Sequence, residues 1–137
     1  PFCANANIGF DVSKSWRHWR ICIHLIVCFN NDVRRRVDII ADLIVHEVTA
    51  FSGSAAESAR LLKRISSNHT TPEQAGEVFS RIKPRLAVFN HLLLFGDATA
   101  EGLIPATRTI YSGPLEVGED LMKISIGDSV ETRRFHA

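Results

Sequence analysis

The chain has 137 residues, a length typical of one domain, and its 45% hydrophobic and 23% charged residues are typical of a globular protein with a buried core. Sixteen basic and fifteen acidic residues leave a formal net charge of +1, which argues against a nucleic-acid-binding or polybasic membrane surface. Cys3, Cys22 and Cys28 form no C-x-x-C pair and no even set, which argues against a disulfide framework and a thiolate zinc site. We therefore expect free thiols, a cytoplasmic protein and no membrane contact.

Short apolar runs alternate with amphipathic stretches along the chain. Thr71, Pro72 and Gln74 form a helix start signal, with a capping threonine, proline in the first turn and glutamine three residues after the cap. In chain order the pattern predicts strands or helices at 21–29 (strand), 42–47 (strand), 54–66 (helix), 71–82 (helix), 85–94 (strand), 104–111 (helix), 115–117 (strand) and 121–126 (strand). This order predicts an α/β fold with helices packed on sheet faces. The polar tail over 128–137 is expected to fray.

Three side chains are candidates for chemistry. Asp32 follows the first strand, His69 lies in a loop before a helix, and His91 lies near the end of the strand at 85–94. One aspartate and two histidines from separate segments are ligand types of a catalytic zinc site. Each also fits a plainer role, because an aspartate after a strand often forms a turn, a histidine before a helix often caps it, and a histidine in an apolar strand often belongs to the core.

Four sequence segments indicate the class of protein more specifically than the spacing of these three side chains does. They are A-D-L-I-V-H-E at 41–47, H-T-T-P-E-Q-A-G at 69–76, K-P-R-L-A-V-F-N-H at 83–91 and Y-S-G-P-L-E-V-G-E-D-L at 111–121. As an ordered set, covering roughly residues 40–127, they resemble segments of metallo-β-lactamase-fold hydrolases of the ribonuclease Z and arylsulfatase kind. The resemblance implies that residues 1–137 are one incomplete domain, the C-terminal part of an αββα sandwich, with 1–31 as a divergent N-terminal segment.

The same resemblance implies roles for individual residues. It makes His91 a metal ligand, His69 a proton donor or phosphate-contacting group, and His46 and Glu47 groups that orient the ligands. Asp32 is matched to the aspartate that bridges two metals, although the glycine and serine of the family's S-G-D-T turn are replaced here. In complete members two zinc ions activate a water that attacks an ester or phosphodiester.

The family's H-x-H-x-D-H metal motif is absent from this sequence. Asp32 and His91 are then the only ligands that the resemblance supplies, and two ligands do not complete a zinc site. Two hypotheses follow: the C-terminal portion of a metal-dependent hydrolase, which we expect to be inactive alone, or a non-catalytic remnant or binding half-domain. A third hypothesis, that the chain is an α/β domain unrelated to this family, stays open. The residues do not indicate whether the substrate is a small-molecule or a nucleic-acid ester.

The predicted strands are apolar on nearly every residue, a pattern typical of strands buried on both faces. The predicted helices cover only one face of the sheet that these strands form. We therefore expect the other face to be bare, and the chain to form a homodimer through it or to aggregate. The alternative is that residues 1–31, with Phe10, Trp16 and Trp19, fold back and partly cover that face.

Overall fold

The structure is a computed structural model that describes residues 2–4, 9–12, 21–23, 41–53 and 69–135. Its elements are β1 (Phe2–Ala4), β2 (Gly9–Val12), β3 (Ile21–Ile23), β4 (Leu43–Ser52), α1 (Pro72–Ile82), β5 (Leu86–Gly96), α2 (Ala100–Arg108), β6 (Leu115–Val117), β7 (Lys123–Ile126) and β8 (Val130–Arg133). Asp32, the helix predicted over 54–66 and most of the strand predicted over 21–29 lie outside the described residues.

Two sheets organise the described chain. The larger has the order β1-β5-β4-β3, with β6 also paired to β5, and its pairs β3–β4, β4–β5 and β5–β6 are parallel. The smaller has the order β2-β7-β8, in which β7 and β8 form an antiparallel hairpin. Parallel strands joined through helices confirm the predicted α/β class. No helix of the described residues is long and apolar enough to cross a membrane.

Both helices pack on one face of the larger sheet. Helix α1 begins as the sequence predicts: the Thr71 side chain accepts from the Gln74 backbone N–H, and the Gln74 side chain accepts from the Thr71 N–H. Its buried residues Ala75 and Phe79 meet alternate residues of β4 and β5 in one core cluster. This cluster also contains Ile44, Val48, Ala87, Phe89, Leu92, Leu103, Tyr111 and Leu115.

The smaller sheet covers the opposite face, so the expectation of a bare sheet face is wrong for this part of the sheet. Residues of β4 and β5 and residues around β7 share a second buried cluster: Leu43, Val45, Leu86, Val88, Met122, Ile124 and Ile126, with Val130 packed against it. The predicted frayed tail over 128–137 is wrong where β8 forms, because Val130 packs on this cluster and β8 pairs with β7. The described chain thus has two sheets face to face and helices on one outer side.

Several boundaries differ from the sequence prediction. Strand β4 continues to Ser52, because Val48 carries the apolar pattern on beyond Glu47, the predicted end of the strand. Strand β5 continues two residues further than predicted, to Gly96, which pairs with Ser52. Helix α2 begins four residues earlier than predicted, because the Thr99 hydroxyl accepts from the Gly102 N–H and caps it.

Arg85 ties the start of β5 to the turn between β7 and β8. Its guanidinium donates to the Gly127 carbonyl at 2.9 Å and the Asp128 carbonyl at 2.5 Å, and lies 3.4 Å from Asp42 Oδ1. We expect Arg85→Ala to lower the free energy of unfolding by about 1–2 kcal/mol, because hydrogen bonds from a charged donor are lost at a half-exposed site. Urea unfolding measures this, with Arg85→Lys as the matched variant, which keeps the charge but not the fork of donors. If the free energy of unfolding of Arg85→Ala equals that of the parent chain within experimental error, the hydrogen bonds of Arg85 do not stabilise this turn.

Candidate functional site

A β-bulge in the middle of β5 shapes the candidate site. His46 pairs with Phe89 and Val48 with Leu92, so the single residue Glu47 lies opposite two residues, Asn90 and His91. His91 has a left-handed backbone with φ 51°, which is uncommon outside glycine. Its backbone N–H donates to Asn90 Oδ1 at 2.8 Å. Bulges of this kind re-aim side chains and are frequent beside active sites.

Glu47 holds the loop that precedes α1. Its carboxylate is 5% exposed, and it accepts from the Thr70 N–H at 2.8 Å through Oε1 and contacts His69 Nδ1 at 3.1 Å through Oε2. The Thr49 N–H also donates to the Thr70 carbonyl at 2.8 Å, so this segment is bound to β4 at three points. A carboxylate only accepts, so the proton of this contact lies on Nδ1 of His69, and Nε2 carries no proton in the neutral ring.

His69 and His91 lie side by side, although they come from different segments of the chain. Their ring centroids are 6.4 Å apart and their planes are inclined by 48°. The sequence predicts imidazoles within about 10 Å at the same edge of the sheet, a distance that allows a shared metal or bound water. The separation of the two rings meets the expected distance, and the roles of the two residues stay predictions.

His46 lies on the other face of β4 from Glu47, because successive side chains of a strand alternate. It is 1% exposed, its ring meets Phe79 edge-on at 5.7 Å, and its Nδ1–H donates to the Glu47 carbonyl at 2.5 Å. Of the two residues expected to orient the ligands, only Glu47 therefore contacts His69 or His91 among the described contacts; His46 packs in the helix-side core.

The described residues alone do not fit a zinc centre. Two imidazoles are suitable donors, but within the described ranges no three His, Cys, Asp or Glu side chains lie close enough to hold a metal ion. Asp32, the other predicted ligand, lies outside those ranges. The site as described is a histidine pair with one histidine held by a buried carboxylate.

A cavity of about 440 Å³ lies near the starts of α1 and α2, and it does not contain the histidine pair. Thr49, Thr71 and Thr99 line it together with the acidic side chains of Glu73 and Asp97. Because neither His69 nor His91 lines this space, it does not serve as the pocket of the histidine site.

Sequence reasoning missed the bulge and with it the part played by Asn90. The motif at 83–91 contains Asn90, but nothing in its pattern distinguishes a strand that ends at His91 from one that bulges there and continues. An asparagine before a histidine, two residues tolerant of left-handed backbone, is the one local signal that was present.

No protein-family model and no curated protein sequence matches this chain. A solved structure, the metallo-beta-lactamase fold protein YhfI from Bacillus subtilis, matches with a TM-score of 0.44 and 17% sequence identity. The match covers 59% of this chain and 30% of that structure, so the chain spans about a third of its length.

Proposed function

We propose that this chain is the C-terminal portion of a metal-dependent hydrolase of the metallo-β-lactamase superfamily, acting on an ester or phosphodiester when complete. In this proposal His91 is a metal ligand and His69 is the proton donor or anion-contacting group. Asp32 is the second metal ligand. The other ligands would be those of the H-x-H-x-D-H motif, which this sequence lacks. The support for this superfamily comes from the four ordered sequence segments. The comparisons with known proteins do not assign the chain to a superfamily.

The observation that carries the proposal is the convergence of Glu47, His69 and His91 at the bulge of β5. Left-handed backbone at a non-glycine residue costs about 1–3 kcal/mol and persists where the surrounding structure enforces it, most often at functional sites. His91 has that backbone and lies 6.4 Å from the imidazole of His69.

His69 is suited to handle a proton at Nε2. Glu47 fixes the tautomer by accepting from Nδ1–H, so Nε2 is the nitrogen at which the neutral ring takes up a proton. The Thr70 N–H bound to the other carboxylate oxygen keeps Glu47 from rotating away. When bound, the metal ions would supply the activated water; the chain's own contribution is a held and oriented proton donor.

The second candidate is a non-catalytic remnant or binding half-domain. The observation that favours it is the incomplete donor set of the described residues and the missing H-x-H-x-D-H motif of the sequence. Under this reading the Glu47–His69 contact only anchors the loop before α1. We expect the isolated chain to bind zinc weakly and to show no hydrolysis of a generic phosphodiester or ester, which alone does not separate the two candidates.

Zinc titration of His91→Ala separates them. If His91 is a ligand, the variant loses most of the weak zinc binding, about tenfold or more in affinity, while His136→Ala, a histidine outside the four segments, binds as the parent chain does. Calorimetric titration with ZnCl₂ measures both. Equal affinity in the parent chain and His91→Ala would remove His91 from the metal site. Stoichiometric zinc retained on dialysis, with turnover that His91→Ala abolishes, would overturn the expectation that the chain is inactive alone.

A further inference from the structure

Strand β8 has one edge that no strand of the described residues pairs with. In the order β2-β7-β8 it is terminal, and β7 is its described partner. Such an edge presents backbone N–H and C=O groups that bind a further strand when the side chains permit it. The side chains of β8 therefore decide what the edge accepts.

The outward side chains of β8 are charged and alternate in sign. The register places Thr132 opposite Ile124 and Val130 opposite Ile126, on the core side of the sheet. Glu131 and Arg133 therefore point to the outer side, and both are exposed. Phe135 lies two residues beyond the end of β8; it is 49% exposed and is one of the large apolar side chains that the described chain leaves in solvent.

Arg133 is poorly matched within its own chain. It lies directly opposite Lys123 on β7, and like charges in that position are destabilising. None of the ion pairs among the described residues includes Arg133. Glu131 accepts from the Ser129 hydroxyl at 2.8 Å, within the same turn. The strand thus carries a basic and an acidic group, two residues apart, that are not used to hold the sheet together.

We propose that β8 pairs antiparallel with β8 of a second copy of this chain, about a two-fold axis at Thr132. In that register Glu131 of each copy lies opposite Arg133 of the other, so one contact is made twice. Opposite charges directly across an antiparallel pair are stabilising. No other position of the two-fold axis along this short strand places Glu131 of each copy opposite Arg133 of the other.

Phe135 adds an apolar element to the same surface. It lies two residues beyond the end of β8, so a second copy paired along β8 would lie beside it and reduce its exposure to water. Because β8 has only four residues, the contact area is small, and the expected assembly is a weak dimer in concentration-dependent exchange. The dimer surface is therefore a sheet edge, and it is independent of the hydrolase proposal.

Charge reversal tests this pairing directly. Arg133→Glu and Glu131→Arg each place like charges opposite one another in the dimer, and each is expected to weaken dimerisation by about tenfold or more. The double variant restores two opposite-charge contacts and is expected to recover most of the affinity. Arg133→Glu also faces Lys123 in its own sheet, so the fold is not expected to suffer, and a thermal melt of every variant checks this.

Sedimentation velocity over a concentration series measures the dimer, with Glu77→Arg on the exposed side of α1 as the matched control for Glu131→Arg. The expected result is a parent chain and control that dimerise alike, weak dimers for both single reversals, and recovery in the double variant. Added salt should weaken the parent dimer. A parent chain that stays monomeric at every concentration would overturn the proposal, since the charges of β8 would then protect the edge. A double variant no tighter than the single ones would overturn it equally.

Discussion

Phe79→Ala is expected to lower the free energy of unfolding by about 3–5 kcal/mol, the cost of truncating a fully buried phenylalanine. Phe79 is 0% exposed, and its ring contacts three others: His46 at 5.7 Å, Phe89 at 5.6 Å and Tyr111 at 5.5 Å. These partners come from β4, β5 and the segment after α2. No single neighbour can move to fill the space without breaking a second contact, so a cavity remains.

Urea unfolding followed by circular dichroism measures this loss. A domain of this size has about 5–15 kcal/mol of stability in total, so a substantial fraction of Phe79→Ala unfolds at room temperature if the chain is near the lower end. Phe79→Leu keeps most of the apolar volume and should cost less, and Glu77→Ala on the exposed side of α1 should change stability by no more than about 0.5 kcal/mol. A cost under about 1 kcal/mol for Phe79→Ala would show that α1 does not anchor this core.

The elements with strong local signals could be predicted from the sequence. Thr71, Pro72 and Gln74 determine the start of α1 because the cap, the proline and the returning side chain are all encoded within four residues. Strand β6 was predicted with its observed bounds, Leu115–Val117. The apolar runs that became β4 and β5 were also recognised, since burial on both faces leaves few polar residues to interrupt them.

The longer-range features could not be predicted. The hairpin of β7 and β8 was missed because Val130–Arg133 is polar in three of its four residues, and its pairing depends on Ile124 and Ile126 finding the far side of a distant sheet. A strand that is stabilised by one apolar residue and by pairing with a neighbouring strand has little sequence pattern from which it could be predicted. The expectation of a bare sheet face had another cause: the sequence predicts the strand at 121–126, but not that Met122, Ile124 and Ile126 pack on that face.

The same distinction between local signals and longer-range features applies to the candidate site. Its residues could be proposed from the motifs, but their arrangement depends on a register shift between β4 and β5, which is a property of the pair and of neither strand alone. Glu47 was expected to act as an orienting group, and it contacts His69 at 3.1 Å. His46, its neighbour in the motif, lies on the opposite face of the same strand, a consequence of the two-residue period.

Glu47→Gln is expected to change the tautomer of His69. The carboxylate now accepts from both the Thr70 N–H and the Nδ1–H of His69. A glutamine side chain has one oxygen and one NH₂ group, so it can satisfy only one of these donors. If the amide oxygen keeps the Thr70 N–H, the NH₂ group faces Nδ1, which then must accept, and the proton of the neutral ring moves to Nε2. The nitrogen chemical shifts of the His69 ring, measured by NMR near neutral pH, report this directly.

Glu47→Ala removes the anchor altogether and has the larger effect on stability. It leaves the Thr70 N–H without its carboxylate partner in a half-buried segment and breaks the contact to His69, an expected loss of about 1.5–3 kcal/mol. Glu77→Gln and Glu77→Ala are the matched controls, because Glu77 is exposed on α1. If the Nδ1–H tautomer is unchanged in Glu47→Gln and Glu47→Ala is as stable as its control, the Glu47–His69 contact neither sets the proton nor holds the loop. His69 would then lose its support as an oriented proton donor, whereas the placement of His91 at the bulge would be unaffected.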